Sequence, residues 1–231
     1  MKLRYLTAAA LAATTFLQGC GGGGDAGTSI TPVTSFPLLA GYKARITAGA
    51  SDNYAVSGTC AGNAAITTAA AVAATFEGVT GYSATQTATI TFTNCTPAST
   101  AVTGTSYYDT SFSLLGSSTP GIDYTKYATA PPALPTSVKV GDTAVFSTLT
   151  VYADSTKATV TGQRLLSYVI EADTTTTAIA NLITKGYNAS GQLLFTQQSR
   201  YRIAADGSLT VISIDVQYST TSTNHLVYTK A

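Results

Sequence analysis

With 231 residues, 12 Lys and Arg against 11 Asp and Glu, and a net charge of +1, the chain is near neutral. That balance excludes the clustered basic surface used by nucleic-acid binders and the polybasic patch that attracts anionic lipid. Charged residues make up only 10% of the chain, against roughly 25% in ordinary soluble domains. Thr and Ser take their place, and β-branched threonine suits a pleated, half-buried surface, which argues for an all-β chain over a helical bundle.

In chain order, Lys2 and Arg4 precede an apolar run over residues 6–17, which Leu17-Gln18-Gly19-Cys20 closes. Gly21, Gly22, Gly23 and Gly24 follow. The run is diluted by Ala and Thr and falls short of the roughly 20 apolar residues a spanning helix needs. A basic start, a short apolar segment, a small residue and a cysteine resemble the lipobox signal peptide of bacterial lipoproteins. Gln18 is a less usual choice at its position. The resemblance implies a signal peptide over 1–19, cleavage before Cys20, and attachment to the membrane through acyl chains on Cys20. Each buried methylene of such a chain contributes about 0.8 kcal/mol. It also implies the outer membrane, because Gly21 stands where an Asp favours retention in the inner one. An ordinary secretory signal with an incidental Cys20 is the alternative. Residues 20–35 read as a Gly-rich flexible tether. Cleavage removes Lys2 and Arg4, leaving ten basic side chains against 11 acidic and a net charge of −1.

Of the three cysteines, lipidation of Cys20 leaves Cys60 and Cys95 as a pair. In an oxidising compartment they are expected to form a disulfide, and closing a loop of this length stabilises by about 3–4 kcal/mol. Zinc is the weaker reading, since two thiols without neighbouring His make half a site. The pair brackets a β module over 36–97. Its clearest element is the strand around residues 86–94, with Ala88, Ile90 and Phe92 on one face and Thr87, Thr89, Thr91 and Thr93 on the other. Residues 64–76 read as strand and loop.

Residues 98–135 form a Pro/Tyr-rich connection with Pro120, Pro131, Pro132 and Pro135, and hold one strand over 105–115. From 136 to 231 there is no proline, and the pattern becomes a regular antiparallel meander. Strands are predicted over 144–152, 158–171, 178–187, 192–203, 209–218 and 225–228. A short helix over 178–187 also fits the spacing of Ala178, Ile179, Leu182 and Ile183, but flanking threonines and the lack of an N-cap favour a strand. Asn188-Ala189-Ser190-Gly191 and Ala205-Asp206-Gly207 are the strongest turn signals. The expected fold is all-β: an antiparallel meander forming a curved sheet, half-barrel or sandwich, with a disulfide-stapled N-terminal module. The hairpin phrases Asn188-Ala189-Ser190-Gly191-Gln192-Leu193-Leu194 and Tyr201-Arg202-Ile203-Ala204-Ala205-Asp206-Gly207 resemble those of uncharacterised β-rich bacterial lipoproteins, which implies no activity.

Catalytic signals are sparse. His225 is the sole histidine, no Gly-x-Ser-x-Gly elbow accompanies it, and a surface histidine is the simpler reading. Glu171 and Asp173 would share a strand face but sit at a strand end, where solvated acids are common. Arg200 and Arg202 place two cations on one face, read mainly as solvated. No cofactor motif and no metal-ligand spacing occur. The best ligand-binding candidates are Tyr107, Tyr108, Asp109, Asp123, Tyr124 and Tyr127, which could line a cavity rim or merely cap sheet edges. Three functions follow as expectations. The first is a non-enzymatic binding or interaction module on the envelope, contacting an envelope protein or surface ligand. The second is a carrier or chaperone for lipid or another hydrophobic ligand, resembling half-barrel lipoproteins of lipid trafficking, with Leu193, Phe195, Ile212 and Ile214 on an apolar concave face. A hydrolase comes last.

Overall fold

The computed structural model describes residues 32–219 and 224–231; the proposed signal peptide, Cys20 and most of the tether lie outside the described residues. Among the described residues, one helix, α1 (Leu38–Ala48), precedes thirteen strands. The disulfide-bracketed segment supplies β1 (Ala50–Gly58), β2 (Gly62–Thr68), β3 (Val72–Phe76) and β4 (Val79–Phe92). The Pro/Tyr-rich stretch supplies β5 (Ser99–Asp109), β6 (Leu114–Thr119) and β7 (Asp123–Tyr127). The proline-free part supplies β8 (Thr143–Tyr152), β9 (Val160–Ala172), β10 (Thr177–Asn188), β11 (Leu193–Ala204), β12 (Leu209–Tyr218) and β13 (His225–Lys230).

The fold is all-β and antiparallel, as the alternation predicted. From β4 to β13 each strand lies beside the next, and the ring closes where β13 pairs with β1, β1 with β2, and β2 with β4. A closed antiparallel barrel of twelve strands results, rather than the half-barrel or sandwich the sequence left open. The long β4 makes closure possible by serving two neighbours. Its first part pairs with β3, from Val72↔Ser83 to Phe76↔Val79, and its later part with β2, from Thr68↔Gln86 to Gly62↔Phe92. Closure leaves the ring without the unpaired edges an open sheet must protect. The Cys60–Cys95 disulfide joins the β1–β2 turn to the β4–β5 turn at one end of the barrel.

Strand alternation sorts residues inward and outward. On β4, Thr85, Thr87, Thr89 and Thr91 are exposed on the outer face, while Ala84, Ala88, Ile90 and Phe92 turn inward. Their hydroxyls ladder across strands, Thr85 to Thr105 at 3.0 Å and Thr87 to Thr103 at 3.1 Å. The strands of the 98–135 stretch are three, not the single one expected over 105–115, because Phe112 and Gly121 take positive φ at tight turns between them. On β12 a bulge opposite Arg200 and Tyr201 leaves Ile212 without a register partner and turns Val211 inward.

The helix is absent from the sequence-based reading. Leu38, Tyr42 and Ile46 recur at four-residue spacing along α1, which gives one apolar stripe. Leu38 packs with Phe36, Val138, Ile170, Ala178 and Ile203 on one side of the barrel, and Ile46 packs with Ala84, Tyr108 and Phe112 on the other. Tyr42 touches both clusters. The helix therefore crosses the end of the barrel that lies opposite the disulfide. Gly41 permits it to press onto the β11–β12 turn: a Cβ there would lie 2.1 Å from the carbonyl oxygen of Gly207.

Candidate functional site

Eight strands close a barrel whose interior side chains just fill; twelve leave more room than inward residues of ordinary size occupy. Here α1 takes up the space at one end, and toward the other end the barrel is hollow. The hollow part is a chamber of about 440 Å³ with a mixed wall, in which Ile66, Ile90, Val102, Phe195, Ile214 and Val216 supply the apolar surface and Gln86, Asp123, Arg164 and Gln197 the polar one. Gln86 and Val102 point inward on their strands and are nevertheless exposed, since the space beside them is open. Ile122 and Tyr218, both solvent-exposed, line the same space near its mouth. A second chamber of about 210 Å³ lies directly under the helix, bounded by Tyr42, Arg45, Tyr108, Tyr201, Leu166, Leu182 and Leu209 among others.

Polar side chains punctuate this interior. Gln86 borders both chambers and donates through Nε2 to Thr68 Oγ1 at 3.1 Å; Gln197 Nε2 donates to Ser199 Oγ at 3.2 Å. Arg164 and Asp123 form an ion pair on the wall of the larger chamber, and Asp123 Oδ1 is buried with no hydrogen-bond partner. At the helix end, Asp52 accepts hydrogen bonds from Arg45 and from Lys230 Nζ at 2.7 Å, tying α1 to β1 and β13. Burial opposes ionisation of Asp52, but the bonds from Lys230 and Arg45 together outweigh it and hold its carboxyl below the ordinary value. Burial pushes the Tyr42, Tyr108 and Tyr201 hydroxyls upward, so all three are neutral donors at physiological pH.

The six ligand-binding candidates from the sequence fall in four places. Tyr107 and Tyr124 stack on Phe76, at centroid separations of 4.4 and 5.5 Å, and Tyr127 packs against the same cluster. Tyr107 faces outward on β5, opposite to Tyr108, and the β3–β4 hairpin folds over that outer surface. Glu77 at the hairpin tip anchors the fold-over, accepting from Tyr124 Oη at 2.6 Å, Lys126 Nζ at 2.9 Å and Lys157 Nζ at 2.7 Å. Tyr108 lies inside, edge-on to Tyr42 at 6.4 Å, on the wall of the smaller chamber. Asp109 closes the β5–β6 turn, accepting from the Ser111 and Ser113 amides at 2.8 Å each. Asp123 lines the larger chamber.

Of the apolar concave face expected on the meander, Phe195 and Ile214 line the larger chamber, whereas Leu193 and Ile212 do not. The sequence reading overlooked Arg45, Gln86, Arg164 and Gln197. A signal existed for Gln86, which interrupts an apolar inward row between Ala84 and Ala88.

Outside the barrel, His225 Nε2 meets Asp215 Oδ1 at 2.9 Å on an exposed surface. Glu171 and Asp173 serve different arginines: Glu171 lies 3.5 Å from Arg200, and Asp173 accepts from Arg202 at 2.7 Å. Both arginines therefore have carboxylate partners. Among the described residues, no group of three or more His, Cys, Asp or Glu is placed to hold a metal ion, and no helix is long and apolar enough to cross a membrane. Comparison with protein-family models, with curated proteins and with solved structures finds no match.

Proposed function

We propose that this chain is a non-enzymatic binding module of the cell envelope that carries a hydrophobic small molecule or acyl chain inside its barrel. Acyl chains on Cys20 tether it, by the lipobox resemblance, to the outer membrane. The observation that carries the reading is the chamber of about 440 Å³ with Ile66, Ile90, Val102, Phe195, Ile214 and Val216 on its wall. A largely apolar pocket with a few polar groups is the usual form of a small-molecule site. A chamber left empty would expose that wall to water, at about 25 cal/mol for each Å² of apolar surface. An occupant recovers that free energy on binding.

The test is a native mass spectrum of the protein produced from the full chain with Cys20→Ser and purified without detergent. An added mass of a few hundred daltons that is lost on denaturation is the expected result. Ala88→Trp, which fills the chamber from its wall, should abolish the added mass while the circular dichroism of the barrel persists. A bare protein that also fails to take up 1-anilinonaphthalene-8-sulfonate would overturn the carrier reading and direct attention to protein partners of the outer face.

A further inference from the structure

The interior changes character along the barrel axis, and on the binding role proposed above, that change identifies the ligand's class. On four strands, consecutive inward residues step from the larger chamber to the smaller one: Ile66 to Thr68, Ala88 to Gln86, Arg164 to Leu166, and Gln197 to Ser199. The chambers thus lie end to end. The two glutamine pairings, Gln86 with Thr68 and Gln197 with Ser199, form a polar waist between them.

The charges at the two ends differ. In the larger chamber Arg164 is matched by Asp123, whose second oxygen has no donor. That end attracts no anion. At the helix end two cationic side chains, Arg45 and Lys230, share the single carboxylate of Asp52. Arg45 lines the smaller chamber with its guanidinium 5.3 Å from the centre of the Tyr201 ring. Tyr42 and Tyr201, on the same wall, carry neutral hydroxyls. A guanidinium has five N–H donors in a planar fork that matches a carboxylate.

We propose that the ligand is a long-chain carboxylate, its head under α1 at Arg45, Tyr42 and Tyr201, and its alkyl tail in the larger chamber. The head completes the two-cation cluster, and the tail covers Ile66, Ile90 and Ile214. The smaller chamber, of about 210 Å³, has room for a carboxylate head.

The test titrates the protein from the full chain, carrying Cys20→Ser, with hexadecanoate and with hexadecan-1-ol by calorimetry. The two probes share a tail and differ in charge. Hexadecanoate should bind one to one and at least tenfold tighter than the alcohol. Arg45→Met should bring the acid down to the alcohol's affinity and leave the alcohol's unchanged. Arg45 also holds α1 to Asp52, so a second measurement uses the unsubstituted site. The carboxyl carbon of [1-¹³C]hexadecanoate in the complex should titrate below its position for a solvent-exposed acid. Equal affinity for acid and alcohol, or a carboxyl that titrates as if in water, would overturn the head assignment and leave the carrier role standing. Binding of neither probe would overturn both. Recovery of an intact diacyl lipid from vesicles, with no uptake of hexadecanoate, would replace the carboxylate with a larger occupant.

Discussion

The two ends of this barrel are built from the same strands with the same inward alternation, yet one is capped by a helix over a small chamber and the other is hollow. At the helix end Phe36, Leu38, Val138, Ile170, Ala178 and Ile203 are sealed from solvent. Toward the opposite end Val102, also inward, is exposed. The strand residues alone do not make this difference. Twelve strands enclose more space than their own side chains fill, and among the described residues a segment preceding the strands, residues 36–48, enters at one end to occupy part of it. The wall beneath that segment is correspondingly small: Ala178 and Ala180 leave room for Leu38 and Tyr42. A barrel of this width becomes a container or a packed core according to what the chain places in its mouth.

The largest effect expected from this contrast is on stability. Leu38→Ala removes a fully buried side chain from a close-packed cluster that cannot collapse, at a cost of about 3–4 kcal/mol. Ile90→Ala at the hollow end borders space that already exists, so little new cavity forms and the cost should be about 1 kcal/mol. Urea denaturation of both variants measures the difference. Equal costs would mean that the hollow end is as tightly packed as the plugged one, and the container reading would go with it. Next in size is the disulfide, which holds two turns together at the hollow end. Cys60→Ser with Cys95→Ser should lower stability by about 3 kcal/mol on the loop-closure estimate, again read from the denaturation midpoint.

Much of the fold was legible because strand periodicity is local. The Thr-over-Ala, Ile and Phe alternation of β4, the Asn188 and Asp206 turns, and the cysteine pair all announce themselves within a few residues. Closure was not legible, since it depends on β1 meeting β13 and on β4 dividing its length between β2 and β3. Both pairings join distant stretches of chain and leave no local mark. The helix had a signal in Leu38, Tyr42 and Ile46, weakened by Gly41 and by the absence of an N-terminal side-chain cap. The tyrosine cluster drew attention as a site because its composition suits one. Tyr107 and Tyr124 stack on Phe76 at the outer surface while Tyr108 lies inside, since neighbouring positions on one strand face opposite sides of the barrel wall. Arg45 could not be read as a site residue until the helix that carries it was placed over the barrel.

A smaller and pH-dependent effect sharpens the same comparison from the outer surface. Hydrogen bonds from Lys157, Tyr124 and Lys126 hold the Glu77 carboxyl well below its ordinary value of 4.5, at about 2. A carboxylate with a depressed folded-state pKa stabilises fully above its unfolded value, and the contribution is lost as pH falls through the folded one. Two of the donors are lysines that reach solvent, so screening reduces the effect to about 1–2 kcal/mol. Stability should therefore decline between pH 4.5 and pH 2, and Glu77→Gln should flatten that part of the profile. A profile unchanged by the substitution would mean that the β3–β4 hairpin is held on the wall by Phe76 stacking alone.

The smallest effect belongs to the sole histidine. His225 and Asp215 meet at 2.9 Å, but the histidine side chain is 45% exposed and neither residue touches a chamber wall. Exposed ion pairs contribute about 0.2–1 kcal/mol, so His225→Ala should shift stability by no more than this and leave ligand uptake unchanged. The pair lies on the outer face of β12 and β13, whose inward residues Ile214, Val216 and Tyr228 line the larger chamber. The substitution thus asks whether the two faces of one wall act independently. Independence is what a container requires, because an occupant sensed through the wall would make the outer ion pair part of the site. Uptake of hexadecanoate that changes with His225→Ala would show such coupling and move the site's boundary to the outer face of these strands.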